Sequence, residues 1–483
     1  MEHCFSMETL QQVARHLSEL DSGAYFVGGA VRDLVVGRQV LDADVVVTGD
    51  YLAIAEELAK RVGGSAFELR RGFQTRRLAW EEGGVNCLLD LAPIRGALLD
   101  DLKERDYTLN AMALPVSAVL DGDYEKQVYD PLGGRQDLVA GRLRAVALKN
   151  LSMDPARYMR AVRLAADYNL VVEGETASYI RKNAEGVTLV AGERLREELF
   201  RALAPKQARK VVELMDNLGL LAKVLPQVKA LQGLEQNRNH HLSAYDHTLQ
   251  ALTELARLLE EFDIAPDLAP KLDAYLAQPL RGASPRVNVL AFATLWHDVG
   301  KTDTATGLGE YGFGFPRHEE VGVELLAELT ERLKFSTDQA DLVTKCTRRH
   351  LEIHLALREE RTTPADRLSF FRRTSPYSIE VILVSLVDRL AARGAALKPE
   401  ALESYIGYAR RLLRDYFERT EAFAPPIWMT GEELIEALGL EPGPLVSLCL
   451  EELASASAEG LVTSRDQALT FARGCIRKYQ DAL

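Results

Sequence analysis

The sequence predicts an α/β N-terminal domain followed by a helical remainder, and three observations support this fold class. Short apolar runs alternate with helical stretches over residues 24–145, whereas the pattern beyond about residue 150 is almost wholly helical. The length of 483 residues also exceeds one ordinary domain. An amphipathic helix is expected in residues 1–20, and strands are expected at Tyr25–Val27, Val45–Val47, Leu78–Trp80, Asn86–Leu91 and in the Met112–Leu114 region.

Composition favours a cytoplasmic protein. The 47% hydrophobic content is ample for several cores, but no stretch approaches the roughly 18 consecutive apolar residues of a membrane span. The first residues lack a basic region followed by an apolar one, so no export signal is expected. The five cysteines are scattered, odd in number and never in a CxxC pair. This pattern suits a reducing compartment and argues against a cysteine zinc site.

The formal net charge of -13 argues against nucleic-acid binding over the whole surface, because phosphate contact depends largely on lysine and arginine. RNA binding would therefore need a local basic surface, although charge runs are usually solvated faces. The candidate clusters are Arg70, Arg71, Arg76 and Arg77; Arg157, Arg160 and Arg163; and Arg194, Arg196, Arg201, Lys206, Arg209 and Lys210.

The chain is organised around residues 25–47, where a predicted strand, two glycines, a short helix and a second strand follow one another. Asp42 and Asp44 lie two apart in the second strand, so both point to one face and can share a divalent cation. Gly28 and Gly29 allow close backbone approach, and the helix start offers free N–H groups to an anion. The order suits Mg²⁺ and a triphosphate; the alternative is a glycine turn beside two surface aspartates.

This segment resembles the signature of the polymerase-β-type nucleotidyltransferases. It is most similar to the class II branch that contains bacterial tRNA CCA-adding enzymes and poly(A) polymerases, which reads GGxVRD and then DxD after a short helix. The resemblance implies an α/β head of that type, with Mg²⁺ held by Asp42 and Asp44. It also implies that Gly28, Gly29 and Arg32 contact the triphosphate.

Two further segments extend the resemblance in the head. Asp90 ends a probable strand and matches the family's third carboxylate, which would add a metal ligand or help deprotonate the attacking hydroxyl. The alternative is a strand-end aspartate that faces water. KERDYTLNAMAL resembles the family's RRDFTxNALA segment, which implies that Arg105, Asp106 and Asn110 serve the triphosphate and sugar; Glu104 replaces the first arginine. DPLGGRQDLVAGRLRAV, at 130–146, resembles a family element expected to form a turn and hairpin.

The stretch 153–168 predicts a helix begun by Asp154. Asp154 and Arg157 share one face, and a carboxylate beside a guanidinium fits the pairing edges of C and A. The stretch resembles the family's EDxxR motif, the protein template for nucleotide choice, with Met153 in place of glutamate. Arg160 and Arg163 follow at intervals of three and join the candidate nucleotide-binding residues. The alternative is an ordinary capped helix with a surface ion pair.

A histidine and aspartate constellation lies in the C-terminal half of the chain. Nitrogen and oxygen ligands of this kind suit a divalent transition metal. The spacing, with the segment WHDVGK, resembles the HD phosphohydrolases, whose metal ligands would here be His247, His297, Asp298 and Asp388. His318 and His350 are candidates for a second metal or a phosphate contact.

Residues 428–476 resemble the C-terminal element of the tRNA nucleotidyltransferases, so the resemblance covers about 24–476. It implies four domains: a nucleotidyltransferase head at 1–148, a helical neck with the nucleotide-selecting helix at 149–215, an HD domain at 216–395 and a tRNA-binding helical region at 396–483.

The resemblance implies addition of C, or of C and A, to the 3′ end of tRNA from CTP and ATP without a nucleic-acid template. Poly(A) polymerase shares the head and neck, and a non-polymerising RNA-binding HD phosphohydrolase is the alternative from another class. Only nine residues separate Arg95 from Arg105, where CCA-adding relatives usually carry a longer flexible loop. The short link predicts CC addition; alternatively, segment 70–77 takes over the role of the loop and full CCA is made.

Overall fold

The computed structural model describes residues 5–68, 74–121, 124–236, 242–280, 284–307, 313–392, 398–418, 428–440, 443–458 and 461–480. The chain divides into two compact units. The first unit comprises Met1–Ala202 and Lys210–Val224, and the second comprises Leu203–Arg209 and Leu225–Leu483. Arg70 and Arg71 lie outside the described residues.

The first unit contains a six-stranded sheet in the order β3-β4-β5-β2-β1-β6. The β2–β5 pair is parallel and the other pairs are antiparallel. Five strands coincide with predicted ones, whereas β3 was not expected. The strands are β1 Tyr25–Val27, β2 Ala43–Val47, β3 Ser65–Glu68, β4 Arg76–Glu82, β5 Val85–Pro93 and β6 Ala113–Pro115.

Helices flank this sheet and cover its apolar side chains. The first helix is amphipathic, as expected: Leu10, Val13 and Leu17 are buried, and the Ser6 side chain accepts from Thr9 N at the N-cap. Full burial of such side chains contributes about 1.5–3 kcal/mol each. The helices up to the end of the head are α1 Met7–Leu20, α2 Gly29–Val35, α3 Tyr51–Arg61, α4 Leu98–Lys103 and α5 Gly134–Val139.

The rest of the first unit is helical apart from one pair of short strands, β7 Arg142–Leu143 and β8 Val171–Val172, which are parallel. The hairpin expected at 130–146 is therefore wrong: this segment forms α5 and β7, and β7 pairs with a later strand. The helices are α6 Leu148–Met153, α7 Ala156–Asp167, α8 Gly174–Lys182, α9 Gly192–Ala202, α10 Ala208–Asn217 and α11 Leu221–Val224. The first two residues of α10 are assigned to the second unit.

The described part of the second unit is helical, with one short antiparallel strand pair, β9 Thr306–Gly307 and β10 Phe313–Gly314. In the described parts of both units, no helix is long and apolar enough to cross a membrane. The helices are α12 Pro226–Ala230, α13 Ala244–Glu261, α14 Ala269–Leu276, α15 Arg286–Trp296, α16 Lys301–Thr304, α17 His318–Leu333, α18 Thr337–Arg349, α19 Glu352–Arg358, α20 Pro364–Thr374, α21 Ser378–Ala391, α22 Pro399–Glu418, α23 Gly431–Leu438, α24 Pro444–Ala458 and α25 Arg465–Gln480.

Candidate active sites

The three predicted carboxylates lie near one another where β2 and β5 run side by side. Asp44 is the register partner of Asp90 in the parallel pair and of Val27 in the antiparallel pair with β1. Residues opposite each other on neighbouring strands point to one face, so Asp44 and Asp90 are neighbours. Asp42 is exposed and immediately precedes β2, which begins at Ala43 and not, as expected, at Asp42. Ala43 is buried, so both aspartates turn away from the core.

The negative charges of this group are crowded. Burial raises the pKa of Asp44 to about 6, the charges of Asp90 and Asp42 add to the rise, and Arg105 opposes it. Carboxylate oxygens are the ligands that Mg²⁺ prefers, and a divalent cation would relieve the repulsion that raises this pKa. The residues present therefore fit a divalent metal ion.

The turn at Gly28 lies close to Asp44 and Arg105. Gly28 is the N-cap residue of α2, and its φ of 68° and ψ of -132° are angles that residues with a Cβ rarely adopt. A Cβ at this position would lie 2.9 Å from Arg105 Nη1 and 3.0 Å from Asp44 Oδ2, so only glycine leaves room for both groups. Gly29 begins α2, and a Cβ there would lie 3.2 Å from Arg32 Nη2.

Arg32, predicted to contact the triphosphate, is buried, and each of its three side-chain nitrogens already donates one hydrogen bond to the protein. Its Nε and Nη2 donate to Asp33 at 3.0 and 3.1 Å, and its Nη1 donates to Asn110 Oδ1 at 2.7 Å. Asn110 Nδ2 in turn donates to Asp106 Oδ1 at 3.0 Å. The structure thus joins Arg32, Asp106 and Asn110 in one network. Arg105 is separate and contacts Asp101 at 3.3 Å.

The network continues into α7. Arg160 donates to Asp106 at 2.9 Å and to Glu198 at 3.0 Å, and Arg163 donates to Glu198 at 2.9 Å and to Asp167 at 3.4 Å. Burial raises the pKa of Glu198, but Arg163 and Arg160 outweigh it and hold the pKa below its usual value. Arg160 and Arg163 thus brace α7 against α9.

The helix that carries the predicted base-reading residues begins at Ala156, later than expected. Asp154 follows α6, a helix that was not predicted, and its two oxygens accept from Arg194 at 3.0 and 2.7 Å. Burial raises the pKa of Asp154, but the Arg194 hydrogen bond lowers it below the usual value overall. Arg157 Nη1 donates to the Asn150 carbonyl at 2.8 Å. Met153, which replaces the family glutamate, is 79% exposed.

The second unit brings the predicted histidines and aspartates together. In each of two groups, the ligand atoms lie within 4.8 Å of one another, and Asp298 belongs to both. Within the described ranges, these are the two groups of three or more possible ligands that lie so close together, and neither contains a cysteine. The groups are His247, His297, Asp298 and Asp388, and Asp298, His318 and His350.

Three of these histidines are oriented alike. Nδ1 of His297, His318 and His350 lies 2.7, 2.9 and 2.8 Å from the carbonyl oxygen three residues earlier. A carbonyl only accepts, so Nδ1 carries a proton and the neutral ring presents a lone pair on Nε2. Nε2 atoms of His318 and His350 lie 3.2 Å apart. This is the orientation that metal-binding histidines adopt.

The charges of this cluster favour a cation. Burial lowers the pKa of His297, but Asp298 and Asp388 raise it to about 10, which favours the protonated ring. A metal ion would displace the proton on Nε2 and bind the lone pair that the neutral ring presents. Nε2 of His297 lies 3.2 Å from Asp298 Oδ2 and 3.7 Å from Asp388 Oδ1. Lys301 Nζ lies 2.6 Å from the same oxygen. Imidazole and carboxylate ligands in a buried, negatively charged cluster fit a divalent transition metal.

Comparison with protein families matches three segments of the chain. Residues 24–144 match the Poly A polymerase head domain, and residues 169–232 match the probable RNA and SrmB-binding site of polymerase A. Residues 244–393 match the HD domain.

Curated relatives match nearly the whole chain. An A-adding tRNA nucleotidyltransferase of Deinococcus radiodurans is 33% identical over 460 residues, 93% of this chain and 94% of the relative. The chain belongs to the tRNA nucleotidyltransferase family. A CC-adding member from Thermus thermophilus is 34% identical over 456 residues, covering 93% of this chain and 92% of the relative.

Solved structures of CCA-adding enzymes share the fold of this tRNA nucleotidyltransferase. An apo form I has a TM-score of 0.60 at 19% identity, and the match covers 96% of this chain and 92% of that one. A Thermotoga maritima enzyme complexed with tRNA has a TM-score of 0.56 at 19% identity, with coverage of 97% and 94%. The predicted fold class and family are confirmed.

Sequence reasoning gave no site role to several residues that contact the predicted ones. Arg77, Arg194 and Arg201 were named only within basic clusters, and Glu198 was not singled out. Lys301 lies in the WHDVGK segment but was not singled out. Helical spacing links Lys301 to Asp298, three residues earlier, and would have found that contact.

Proposed function

We propose that this tRNA nucleotidyltransferase adds C, or C and A, to the 3′ end of tRNA from CTP and ATP without a nucleic-acid template. The observation that carries the proposal is that the carboxylates of Asp42, Asp44 and Asp90 lie near the Gly28 turn. It lies in a chain that is related to tRNA nucleotidyltransferases over 93% of its length.

Each head residue has a role in this proposal. Asp42 and Asp44 would hold Mg²⁺, which would help activate the attacking 3′-oxygen and neutralise charge on the phosphates. Asp90 adds a third carboxylate. Arg105 is the arginine whose charge acts most strongly on the Asp44 carboxylate, so it is suited to a phosphate that reaches the metal. The residues assigned to triphosphate and sugar are Gly28, Gly29, Arg32, Arg105, Asp106 and Asn110.

Asp154 and Arg157 select the base. A carboxylate can accept about four hydrogen bonds, so Asp154 retains acceptor capacity for an exocyclic amine although Arg194 occupies two positions. Arg157 would donate to the ring nitrogen of C or A, whereas U and G present the opposite polarity. Arg160 and Arg163 support the pair by bracing α7.

The choice among CC, A and CCA addition is the finer part of the proposal, and we assign CC. Relatives named CC-adding and A-adding are 34% and 33% identical, so identity does not separate them. The link between Arg95 and Arg105 supports CC, because it contains α4 and both arginines bond Asp101, which is 1% exposed. A short link that is fixed at both ends suits a site whose geometry does not change between nucleotide additions.

Sequencing the products tests the assignment. Three tRNA substrates, lacking CCA, ending in the first C and ending in CC, are each incubated with CTP and ATP together and separately. Two C additions without terminal A are expected. Terminal A added only to the CC-ended substrate would make the enzyme A-adding, and full CCA would mean that another segment replaces the loop. Long runs of A would favour poly(A) polymerase instead.

A second activity is proposed for the histidine cluster: metal-dependent hydrolysis of phosphomonoesters or 2′,3′-cyclic phosphodiesters. The supporting observation is that three histidines, each oriented by its Nδ1 contact with a carbonyl, lie beside Asp298. His247, His297, Asp298 and Asp388 would hold one metal. His318 and His350 would complete a second with Asp298 as the bridge. Hydrolysis assays with Mn²⁺, Co²⁺, Ni²⁺ and Zn²⁺ test this activity; no turnover with any of them would contradict it.

The domain limits also remain part of the proposal. The neck at 149–215 would position the base-reading helix, and residues 396–483 would contact tRNA. A cytoplasmic location, inferred from cysteine usage, accompanies the reaction proposed here.

A further inference from the structure

Each carboxylate at the β2–β5 site has an arginine of its own. Asp44 faces Arg105 across the Gly28 turn, Asp90 contacts Arg77, and Asp42 contacts Arg201. Arg77 and Arg201 have no role in the function proposed above. Their positions therefore raise the question of what two guanidinium groups do beside carboxylates that suit a metal ion.

Arg77 holds Asp90 by both oxygens. It lies on β4 as the register partner of Asp90 on β5. Nε donates to Oδ1 and Nη2 donates to Oδ2, each at 2.7 Å, which is the paired geometry of a strong charge-assisted contact. The side chains are 29% and 21% exposed. The Asp90 bond is the main reason that the pKa of Arg77 lies above its usual value.

Arg201 reaches Asp42 from α9. Its Nη2 lies 3.3 Å from Asp42 Oδ2, although the two residues are 159 positions apart in the chain. Both side chains are largely exposed, at 61% and 45%. A single long contact between exposed groups is weak, so this guanidinium can leave the carboxylate at little cost.

We propose that Arg77 and Arg201 are positioning residues that compete with the metal ion for Asp90 and Asp42 and that, once displaced, contact phosphate. The proposal rests on the nucleotidyl-transfer function. Metal binding to a carboxylate oxygen weakens its bond to the guanidinium, and the released arginine remains beside the site. The phosphate belongs either to the incoming triphosphate or to the backbone of the acceptor RNA.

This exchange makes metal and phosphate binding mutually supportive. A metal ion that takes the carboxylates frees two cations for phosphate, and a phosphate that takes the cations frees the carboxylates for metal. By linkage, each ligand must raise the affinity for the other by the same factor. Removing an arginine should therefore have opposite effects on the two affinities, whereas a residue that only supports the fold would weaken both.

Titration with Mn²⁺, followed by electron paramagnetic resonance, measures the metal affinity directly. The full chain carries His297→Ala and Asp298→Ala, so that the histidine cluster does not add metal to the signal. Arg77→Ala and Arg201→Ala are compared with their Lys counterparts, and circular dichroism checks folding. Arg61→Ala is the matched control, because Arg61 forms an exposed pair with Glu19 in the same unit.

Without nucleotide, Arg77→Ala should bind Mn²⁺ about tenfold more tightly and Arg201→Ala about threefold more tightly, in keeping with a paired and a single exposed contact. The Lys variants should lie between Ala and the parent, and Arg61→Ala should match the parent. A non-hydrolysable CTP analogue and tRNA are then titrated separately into the parent and the variants. The ligand whose affinity falls when an arginine is removed is the one whose phosphate that arginine contacts.

The possible outcomes distinguish a failure of the nucleotidyl-transfer function from a failure of the competition between arginine and metal. If the parent binds no Mn²⁺, the nucleotidyl-transfer site itself is misassigned. If the parent binds Mn²⁺ and the Ala variants bind it equally or more weakly, the competition is refuted while the function stands. Unchanged affinity for both phosphate ligands would likewise refute the exchange.

Discussion

Replacing Gly28 by alanine should damage the nucleotidyl-transfer site at its centre. Gly28 has φ of 68° and ψ of -132°, a region that residues with a Cβ rarely occupy, so backbone strain should cost about 1–3 kcal/mol. The new methyl would also lie 2.9 Å from Arg105 Nη1 and 3.0 Å from Asp44 Oδ2. Ordinary contact begins at 3.4 Å, so both groups must move by a few tenths of an ångström.

The catalytic effect follows from that displacement. A misplacement of about 1 Å costs about 100-fold, so a shift of roughly half that size should reduce kcat/KM by about tenfold. Steady-state incorporation of CTP into tRNA lacking CCA measures the rate, and thermal unfolding measures stability. Gly37→Ala is the matched control: Gly37 has φ of 67° but nothing within 4 Å of its Cβ position.

Gly37→Ala should therefore lose about 1–2 kcal/mol of stability and retain its rate. If folded Gly28→Ala retains the parental kcat/KM, the close approach of Asp44 and Arg105 does not matter for the reaction. An equal loss of rate in both variants would mean that strain alone explains the effect.

Three further substitutions test the remaining assignments. Alanine at both Asp42 and Asp44 should abolish nucleotide addition without unfolding the protein, and addition near the parental rate would remove the polymerase assignment. His297→Ala with Asp298→Ala should eliminate metal-dependent phosphohydrolase activity yet preserve addition; loss of both in a folded variant would contradict separate sites. Glu198→Ala should cost about 2–3 kcal/mol at pH 7, because Arg160 and Arg163 lose a buried partner. The lowered pKa of Glu198 means that its contribution is present above the usual value of 4.5 and is lost as pH falls through the lowered one. Unfolding curves of parent and variant should therefore converge in acid, and a constant difference would assign the loss to packing.

Local patterns predicted the sheet because most of its strands are short apolar runs next to turns. β3 was missed because its sequence, SAFE, has only two apolar residues and a mostly exposed face. The hairpin at 130–146 was wrong for another reason: β7 finds its partner in β8, after α6 and α7. A sequence pattern gives the element but not a partner that distant helices bring into place.

The carboxylates were predicted, but the arginine partners of Asp90 and Asp42 were not, and the reason differs between the two pairs. A two-residue turn at Gly83–Gly84 joins β4 to β5, with Glu82 opposite Val85. Such a turn sets the register of a hairpin, so Arg77 opposite Asp90 could have been derived from the sequence.

The contact of Arg201 with Asp42 depends on the tertiary packing of α9 and has no local signal, and the same holds for Arg194 with Asp154. Each long-range pair joins a residue of the neck to a carboxylate assigned to metal or base. A movement of α9 relative to β2 and α7 would therefore change the charge balance at both places at once. Metal binding and base selection are thus expected to respond together to substitutions in α9, even though none of its residues carries a recognisable motif for either task.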